Sequence, residues 1–359
     1  MKRILYKILL AVNIIFALAL LLSYLAYLIN PEDIAFPAFF GLAYPYILLT
    51  NIALAVVWAM LLRFEALISV IVIALGFNHL TNYIKLSKPA NKGENSFQVM
   101  SYNLRLFNYF ETNSNNSEKN VIEFIKTQQP DILCLQEFFI TGTPSQKETS
   151  LKAALGGKYH SHIKVIGSGR NRYYGIVTFS KFPIIRKSEI IHPRSSSLSI
   201  FTDVVIENDT FRIFNNHLQS FRLQNIERSF IEEITTPDDA ETLNEVRKIS
   251  GSLKQGFVRR AHQSQLVKVQ INSSPYPVIV VGDFNDTPVS YSYRKIRKGL
   301  NDSFVSSGYG AGFTYKGNYP PNRIDYILYD NALESTYFET LKVKYSDHYP
   351  IVAYFRKSN

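Results

Sequence analysis

Long apolar runs dominate the first part of the chain, and only short polar segments interrupt them. The three runs occupy residues 4–29, 36–62 and 66–84. The first two are long enough to cross a hydrocarbon core of about 30 Å as helices. The third reaches that length if Asn82 and Tyr83 lie in the membrane interface. The pattern therefore predicts a transmembrane region at residues 1–86 with a bundle of three helices.

The charges around these runs predict how the region is oriented. Basic residues flank the first run at Lys2, Arg3 and Lys7. The loop after it carries Glu32 and Asp33 instead, which places the N-terminus in the cytoplasm. Three crossings of the inner or plasma membrane would put the remaining chain on the extracytoplasmic side, although Lys85, Lys88 and Lys92 weigh against this orientation. Pro45, between two tyrosines, predicts a kink in the second helix.

Beyond a polar linker at residues 87–96, the pattern changes to short strands with few helices between them. Residues 118–128 show the spacing of an amphipathic helix, and residues 221–270 are polar and helical in pattern. Many strands with few helices indicate two mixed sheets packed as a sandwich with outer helices. We predict this α/β (α+β) domain at residues 97–359, with a helical insertion at about 221–270. The predicted strands are 98–104, 131–137, 173–180, 198–207, 210–218, 277–281, 323–329, 339–345 and 350–355.

Composition narrows the partners more than the fold. The 359-residue chain carries a net charge of +10, which favours anionic partners such as nucleic acid, phospholipid headgroups or other phosphates. A basic surface beside a membrane explains the charge equally well. The single cysteine, Cys134, lies in an apolar run and is expected in the core. It excludes an intramolecular disulfide and cysteine-based zinc sites.

Polar residues capable of chemistry fall repeatedly at the ends of predicted strands. Such residues project into a cleft above a sheet, where sites usually lie. Each one alone has an ordinary structural explanation, such as a turn or a solvated strand end. Their joint occurrence is harder to explain without a site. The residues are Asn103, Glu137, His217, Asp283, Asn285, Asp325, Asp347 and His348.

The order of these motifs resembles the endonuclease/exonuclease/phosphatase superfamily. The resemblance covers about residues 97–357, and it implies the four-layer DNase I-like sandwich. The domain with its anchor is similar to a membrane-anchored member of bacterial type. The motifs are SYN at 101–103, LQE at 135–137, HL at 217–218, GDFN at 282–285, RIDYIL at 323–328 and SDHYPI at 346–351.

This resemblance implies a site for Mg²⁺ or Mn²⁺. Glu137 would be the main metal ligand, with Asn103 beside it and Asp347 as a further carboxylate. Hard oxygen ligands of this kind suit both cations, which bind few carboxylates and keep several waters.

The resemblance also implies direct attack by water on a phosphoester. Asp283 would orient and deprotonate the water, and Asn285 would donate a hydrogen bond to the phosphate. His348 would bind a phosphate oxygen in the transition state, with Asp325 fixing its tautomer. His217 corresponds to a second histidine that contacts the phosphate.

Further residues are expected to contact the substrate. Arg172 and Tyr174 precede a strand where relatives place such residues. Aromatic side chains that could line the cleft are Tyr309, Phe313, Tyr315 and Tyr319. Arg259 and Arg260, in the insertion, are expected on a solvated helix face, and Asp286 is expected to cap a turn.

The sequence thus predicts a membrane-anchored, nuclease-like metal-dependent hydrolase of phosphodiesters or phosphomonoesters. The alternative within the superfamily is a phosphoesterase acting on phospholipid or sphingomyelin-type substrates or on inositol phosphates. A catalytically silent membrane-bound binding module is more remote, since Glu137, Asp283 and His348 are all present. Expected partners are the phosphoester substrate and the lipid bilayer. No protein partner can be inferred.

Overall fold

The computed structural model of the protein describes residues 2–87, 91–109, 117–169, 171–221, 239–317 and 321–358. The residues form two units, each contacting itself more than the rest. The membrane-side unit contains residues 1–81, 219–264 and 286–295, and the sheet unit contains residues 82–218, 265–285 and 296–359. The contacts therefore group the chain differently from the contiguous division predicted at residues 87–96.

The helices of the described residues are α1 (Lys2–Leu28), α2 (Phe36–Leu42), α3 (Tyr44–Met60), α4 (Ala66–Leu75), α5 (Phe77–Leu80), α6 (Ser117–Gln128), α7 (Pro144–Ala154), α8 (Asp239–Asn272), α9 (Tyr291–Arg297) and α10 (Ser303–Ser307). The helix predicted at 118–128 is α6. Most of the predicted insertion at 221–270 is α8, and residues 222–238 lie outside the described residues.

The prediction of three transmembrane helices is wrong. Among the described residues, one helix, α1, is long and apolar enough to cross a membrane, and the total is two if α2 and α3 count as one span. These two helices are bent by 69°. The break precedes Pro45, so the predicted kink is confirmed. The 10-residue α4 rises only about 15 Å, half of a hydrocarbon core.

A buried polar cluster joins three of these apolar helices. Ser69 Oγ of α4 lies 2.6 Å from Asn13 Oδ1 of α1 and 3.3 Å from Asn51 Oδ1 of α3. Asn51 Nδ2 also donates to the Phe16 carbonyl at 2.9 Å. All three side chains are buried. Because an unpaired amide in an apolar setting is costly, these bonds fix the register of the helices.

The part of α8 in the membrane-side unit packs on the α2 region. The Phe257 and Phe39 rings lie 5.2 Å apart. Arg260 is fully buried, which corrects the expectation of a solvated position. Its Nε donates to Asp286 Oδ2 at 3.1 Å and its Nη1 donates to the Gln219 carbonyl at 2.8 Å. Asp286 also accepts from the Thr287 backbone N–H, as a turn cap does.

The sheet unit is built from two six-stranded mixed sheets. Sheet I has the order β10-β12-β9-β8-β7-β6 and sheet II has the order β13-β14-β2-β3-β5-β4, while β1 pairs with β11. The strands are β1 (Ile84–Lys85), β2 (Phe97–Asn103), β3 (Ile132–Thr141), β4 (His160–Gly169), β5 (Arg172–Ser180), β6 (Ile184–Ile190), β7 (Leu198–Ile206), β8 (Asp209–His217), β9 (Val278–Asp283), β10 (Asn301–Asp302), β11 (Gly310–Ala311), β12 (Asp325–Tyr329), β13 (Leu333–Thr340) and β14 (Ile351–Lys357).

The predicted sandwich is confirmed. Apolar side chains from both sheets form one core cluster that includes Val99, Cys134, Ile213, Val281 and Ile351. Cys134 is fully buried, as expected. A second cluster covers the outer face of sheet II beneath α6 and α7. Burial of these alternating positions is the main stabilising term of the domain.

One predicted strand is misplaced. Residues 339–345 alternate like a strand, yet β13 ends at Thr340. Its partner β14 begins only at Ile351, after Pro350, which has no N–H to donate. Residues 341–345 are therefore left without a strand partner, and they carry Lys342 and Lys344 toward a different use. Strands β4 and β6 were not predicted from the sequence.

Gly282 is required by the close approach of two strands. Its φ is +130°, and a Cβ built there would lie 2.0 Å from the Asn216 carbonyl oxygen of β8. Backbone atoms cannot yield as a flexible side chain does. The residue before Asp283 is therefore a glycine because β8 and β9 run together at this point.

We predict that Gly282→Ala destabilises β8 and β9 by about 3 kcal/mol or more, because it adds a backbone clash to an unfavourable φ. The matched control is Gly142→Ala, which has a φ of +93° and open space at the Cβ position. The control should cost only about 1 kcal/mol. Hydrogen exchange of the β8 and β9 amides in the full-length protein measures the first cost, and equal effects of the two substitutions would contradict the clash.

Candidate active site

Three of the predicted residues lie side by side at one edge of sheet I. His217 ends β8, Asp283 ends β9 and Asp325 begins β12. The parallel β8–β9 register pairs His217 with Asp283, and the antiparallel β9–β12 register pairs Asp283 with Asp325. Residues paired across neighbouring strands project to the same side. The register alone therefore brings an imidazole and two carboxylates together.

Sheet II supplies Asn103 and Glu137 from two parallel strands. Asn103, the last residue of β2, pairs with Gln136, the residue before Glu137. The β3–β5 pairing shifts register between Leu135 and Phe138, and Glu137 has a φ of +48°. This irregularity interrupts the alternation, so that Glu137 is partly exposed between buried neighbours.

Asp283 is where the two sheets meet through hydrogen bonds. Its Oδ2 accepts from Asn103 Nδ2 of sheet II at 2.8 Å and from Asn285 Nδ2 at 3.1 Å. Its Oδ1 accepts from the Asn285 backbone N–H at 2.7 Å. Asn285 Nδ2 also donates to the Leu218 carbonyl at 3.0 Å, which holds the GDFN turn against the end of β8.

His348 is held by Asp325. His348 Nδ1 lies 2.9 Å from Asp325 Oδ2, and both side chains are buried. The Asp325 backbone N–H donates to Thr314 Oγ1 at 3.1 Å, which fixes the start of β12. The other imidazole nitrogen, Nε2, lies 3.8 Å from Asp283 Oδ2. A carboxylate on Nδ1 sets the tautomer that leaves Nε2 protonated and directed at the site.

Asp347 is bound by a residue that the sequence did not single out. Arg105 Nε lies 3.2 Å from Asp347 Oδ2. Residues 105–108 form a left-handed turn, with φ between +46° and +57° at four successive non-glycine positions. Asn108 Nδ2 donates to the Tyr345 carbonyl at 2.9 Å and secures this turn. The unfavourable conformation is thus held beside Asp347.

Ser346 was quoted within the SDH motif without a role. Its hydroxyl donates to the Asn103 carbonyl at 2.8 Å and accepts from the His348 backbone N–H at 3.2 Å. It therefore ties the loop that precedes β14 to the end of β2. Its place in the motif was the only signal in the sequence, because a serine before an aspartate is otherwise ordinary turn chemistry.

The two carboxylates that face His217 differ in acidity. Burial opposes ionisation of Glu137, but the contact with His217, the charges of His217 and His348, and the Asn103 amide together lower the pKa of Glu137 to about 2. Burial and the charge of Asp325 raise the pKa of Asp283 to about 6, against the charges of the two histidines. Asp283 is therefore the more basic carboxylate.

Both histidines favour their charged forms. Burial disfavours protonation of His348, but the charges of Asp325 and Asp283, the Asp325 hydrogen bond and Asp347 raise its pKa well above the ordinary value. The pKa of His217 is raised as well, because Glu137 and Asp283 outweigh its burial. Imidazolium groups so placed can donate to an oxyanion.

The residues fit a divalent cation beside a phosphate. His217 Nε2 lies 3.3 Å from Glu137 Oε1, but this buried nitrogen completes no hydrogen bond with any described residue. Asp283, Asp325 and His348 bring ligand atoms within 4.8 Å of one another. Since His348 Nδ1 is already bonded to Asp325, we regard that group as a hydrogen-bonded relay. Glu137 is the partly exposed carboxylate that remains for a metal.

Asn103 is oriented as a hydrogen-bond donor. Its Nδ2 faces Glu137 Oε1 at 3.4 Å as well as Asp283, and its Oδ1 accepts from the Arg105 backbone N–H at 3.0 Å. In this orientation the amide presents nitrogen, not oxygen, to the two carboxylates. The amide would have to rotate before Asn103 could become a metal ligand.

The predicted substrate-contacting residues lie on other elements. The Arg172 guanidinium lies 5.8 Å from the centre of the Tyr109 ring, and Tyr174 pairs with Phe139 across β3 and β5. Tyr315 makes an edge contact with the His348 ring at 5.1 Å. Tyr309 is exposed and Phe313 half-buried, and Tyr319 lies outside the described residues. Substrate contacts by Arg172 and Tyr174 stay predictions.

We predict that Asp325→Asn lowers the pKa of His348, because the amide cannot stabilise the imidazolium as the carboxylate does. An NMR titration of the histidine rings in full-length protein with EDTA measures this shift. His162, whose Nδ1 lies 2.9 Å from Thr202 Oγ1, provides an internal control and should not move. An unchanged His348 titration would contradict the pairing.

Comparisons with solved structures agree on the fold. An endonuclease/exonuclease/phosphatase family protein from Leptotrichia buccalis C-1013-b is 16% identical with a TM-score of 0.53, covering 72% of this chain and 99% of its own. D. rerio TDP2 complexed with single strand DNA product is 16% identical with a TM-score of 0.53, covering 74% and 100%. The human Nocturnin catalytic domain with bound sulfate anion is 18% identical with a TM-score of 0.54, covering 77% and 96%.

Sequence comparisons give the family. No curated protein matches the chain. A domain family of unknown function matches residues 6–83. The Endonuclease/Exonuclease/phosphatase family matches residues 100–348, a span that includes all eight residues of the site. The chain therefore belongs to the endonuclease/exonuclease/phosphatase family, whose members hydrolyse phosphoesters.

Proposed function

We propose that the protein is a divalent-metal-dependent phosphoester hydrolase in which water attacks the phosphorus directly. The observation that carries this proposal is the environment of Asp283. Its buried carboxylate is fixed by Asn103 and Asn285, and it faces both His217 and His348. A base held in this way between two phosphate-binding groups suits an attacking water.

Asp283 accepts the proton of the water. Its pKa of about 6 leaves it ionised at neutral pH while making it a stronger base than an ordinary aspartate. Asn103 and the Asn285 backbone hold the carboxylate in one orientation, so that its remaining lone pairs face the site. The nucleophile is then positioned before the phosphoester arrives.

The histidines and Asn285 bind the phosphate. His348, held by Asp325, donates its Nε2–H to a non-bridging oxygen as negative charge develops there. His217 donates from the buried nitrogen that lacks a hydrogen-bond partner among the described residues. The amide of Asn285 supplies a further donor by exchanging its bond to Leu218.

Mg²⁺ or Mn²⁺ would be held by Glu137, with Asp347 and a rotated Asn103 beside it. The low pKa of Glu137 keeps it ionised over the whole physiological range. Arg105 holds Asp347 through one oxygen and leaves the other directed toward His348 at 4.0 Å. A bound cation would neutralise phosphate charge and stabilise the leaving oxygen.

We favour a nuclease-like activity. The basic chain and the relation to D. rerio TDP2, solved with a single strand DNA product, support a nucleic-acid substrate. A phospholipid, sphingomyelin-type or inositol-phosphate substrate is the second candidate, because apolar N-terminal helices would bring the site close to lipid. Arg172 and Tyr174 are proposed to contact the substrate beyond the scissile phosphate.

We predict that Asp283→Asn lowers kcat at least about 10³-fold, because the amide cannot accept the proton. Glu137→Gln should likewise abolish the stimulation by Mg²⁺. Hydrolysis by the full-length protein is measured on single- and double-stranded DNA, RNA, sphingomyelin and inositol phosphates, with Mg²⁺ or EDTA. Asp330→Asn is the matched control, since that carboxylate only accepts from the Ala332 N–H. Full activity of Asp283→Asn would refute the assignment of the base.

We also propose that α1 holds the protein in a membrane. Large apolar side chains on this helix are exposed, among them Ile15 at 62% and Leu18 at 55%. Such a surface in water would favour aggregation, whereas lipid solvates it. A single crossing places the sheet unit on the opposite side from the N-terminus, and two crossings place it on the same side.

We predict that the wild type stays in the membrane pellet after a carbonate wash. Ile15→Asp combined with Leu18→Asp should release it or prevent insertion, because each aspartate costs about 3 kcal/mol at the centre of a spanning helix. Ile15→Val with Leu18→Ile is the control and should be retained. Recovery of wild-type protein in the supernatant would exclude this attachment.

A further inference from the structure

Three lysines and one tyrosine adjoin the candidate active site without belonging to any motif. This lysine cluster consists of Lys316, Lys342, Lys344 and Tyr349. Tyr349 directly follows His348, and the Lys316 backbone N–H donates to the Asp347 carbonyl at 2.8 Å. The preceding residue, Tyr315, forms a bridge with His348. The cluster therefore lies beside the residues that would bind the scissile phosphate.

Two of the ammonium groups share one aromatic ring. Lys316 Nζ lies 4.9 Å and Lys342 Nζ 4.2 Å from the centre of the Tyr349 ring. Each is also held by a backbone carbonyl. Lys316 Nζ donates to Val343 at 2.8 Å, and Lys342 Nζ donates to Phe313 at 3.2 Å. Both lysines are thus ordered, whereas a merely solvated lysine keeps its rotamer freedom.

The positive charges in the cluster are not neutralised by acidic residues. Within the described parts of the chain, none of the three lysines forms a salt bridge with a carboxylate. Burial and the charge of Lys344 lower the pKa of Lys316 despite the attraction of Asp347. Burial and the charge of Lys316 lower the pKa of Lys342. Holding like charges together is unfavourable unless an anion completes the arrangement.

We propose that the lysine cluster binds a second phosphate of the substrate, next to the phosphate that is cleaved. This proposal rests on the proposed function and narrows its substrate class. A substrate with at least two phosphates, such as a nucleic-acid strand or an inositol polyphosphate, places negative charge against both lysines. A choline headgroup would place a quaternary ammonium there and be repelled. The geometry thus disfavours sphingomyelin-type substrates.

The test measures binding separately from hydrolysis. Full-length protein carrying Asp283→Asn is titrated in EDTA with a fluorescent ten-nucleotide single-stranded DNA. Inositol hexakisphosphate and inorganic phosphate serve as competitors. Lys316→Gln with Lys342→Gln should raise the Kd for DNA at least tenfold. The dependence of log Kd on log salt should fall by about 1.4 units for two lost phosphate contacts on a single strand.

Two matched variants separate the cluster from general charge and from misfolding. Lys126→Gln with Lys187→Gln removes the same charge from exposed positions on α6 and β6, and should change the Kd less than about twofold. Lys316→Arg with Lys342→Arg should retain binding. Equal losses in the Lys126/Lys187 and Lys316/Lys342 glutamine variants, or no loss in either, would overturn the proposal.

The competitors distinguish the sources of the second phosphate. Displacement of DNA by inositol hexakisphosphate, but not by inorganic phosphate, at equal concentration indicates a general polyphosphate site. Displacement by neither indicates a site for a nucleic-acid strand. A wild-type cluster that binds inorganic phosphate as tightly as DNA has no second-phosphate site. If no substrate is hydrolysed while the lysine-dependent binding persists, the proposed reaction fails and the binding site stands.

Discussion

The hydrogen bond from Asn103 to Asp283 is the contact on which the site depends. It joins the last residue of β2 in sheet II to the last residue of β9 in sheet I at 2.8 Å. Asp283 is only 1% exposed, so its charge needs partners that replace water. Asn103, Asn285 and the two histidines provide them, and each comes from a different strand end or turn. A shift of either sheet would leave a buried carboxylate unpaired.

The balance of charge in the site follows from the same constraint. Four carboxylates, of Glu137, Asp283, Asp325 and Asp347, gather around two histidines and Arg105. Asp325 and Asp347 are each paired directly, to His348 and Arg105. Glu137 and Asp283 share His217 at 3.3 and 3.9 Å. The least compensated negative charge therefore lies at Glu137, which is also the carboxylate that solvent can reach.

Much of the sandwich and of the site could be predicted from the sequence, because both follow from the strand pattern. Asp283 and Asp325 adjoin strongly apolar strands, and strand ends at one edge of a sheet must meet. The predicted strand at 339–345 failed for a non-local reason, since alternation does not reveal where a partner strand begins. The lysine cluster was missed with it, because its lysines then belonged to a supposed sheet.

The membrane-side predictions failed in a related way. Hydropathy measures how apolar a segment is, not whether one helix continues through it. The bend between α2 and α3, the shortness of α4 and the polar cluster of Asn13, Asn51 and Ser69 depend on tertiary packing. Arg260 illustrates the same limit. A charged residue on a polar helix is expected in water, and only the pairing with Asp286 explains its burial.

The composition of the membrane-side unit limits how the protein can be divided. Residues 219–264 and 286–295 are encoded far from α1–α5, yet they pack in one unit with them. Phe257 rests on Phe39, and His262 lies 3.5 Å from Glu32. A shortened protein beginning after the polar linker would retain these segments and lose their packing partners. The catalytic half of the gene is therefore not a transferable module, and removing the hydrophobic leader to gain solubility would expose new apolar surface.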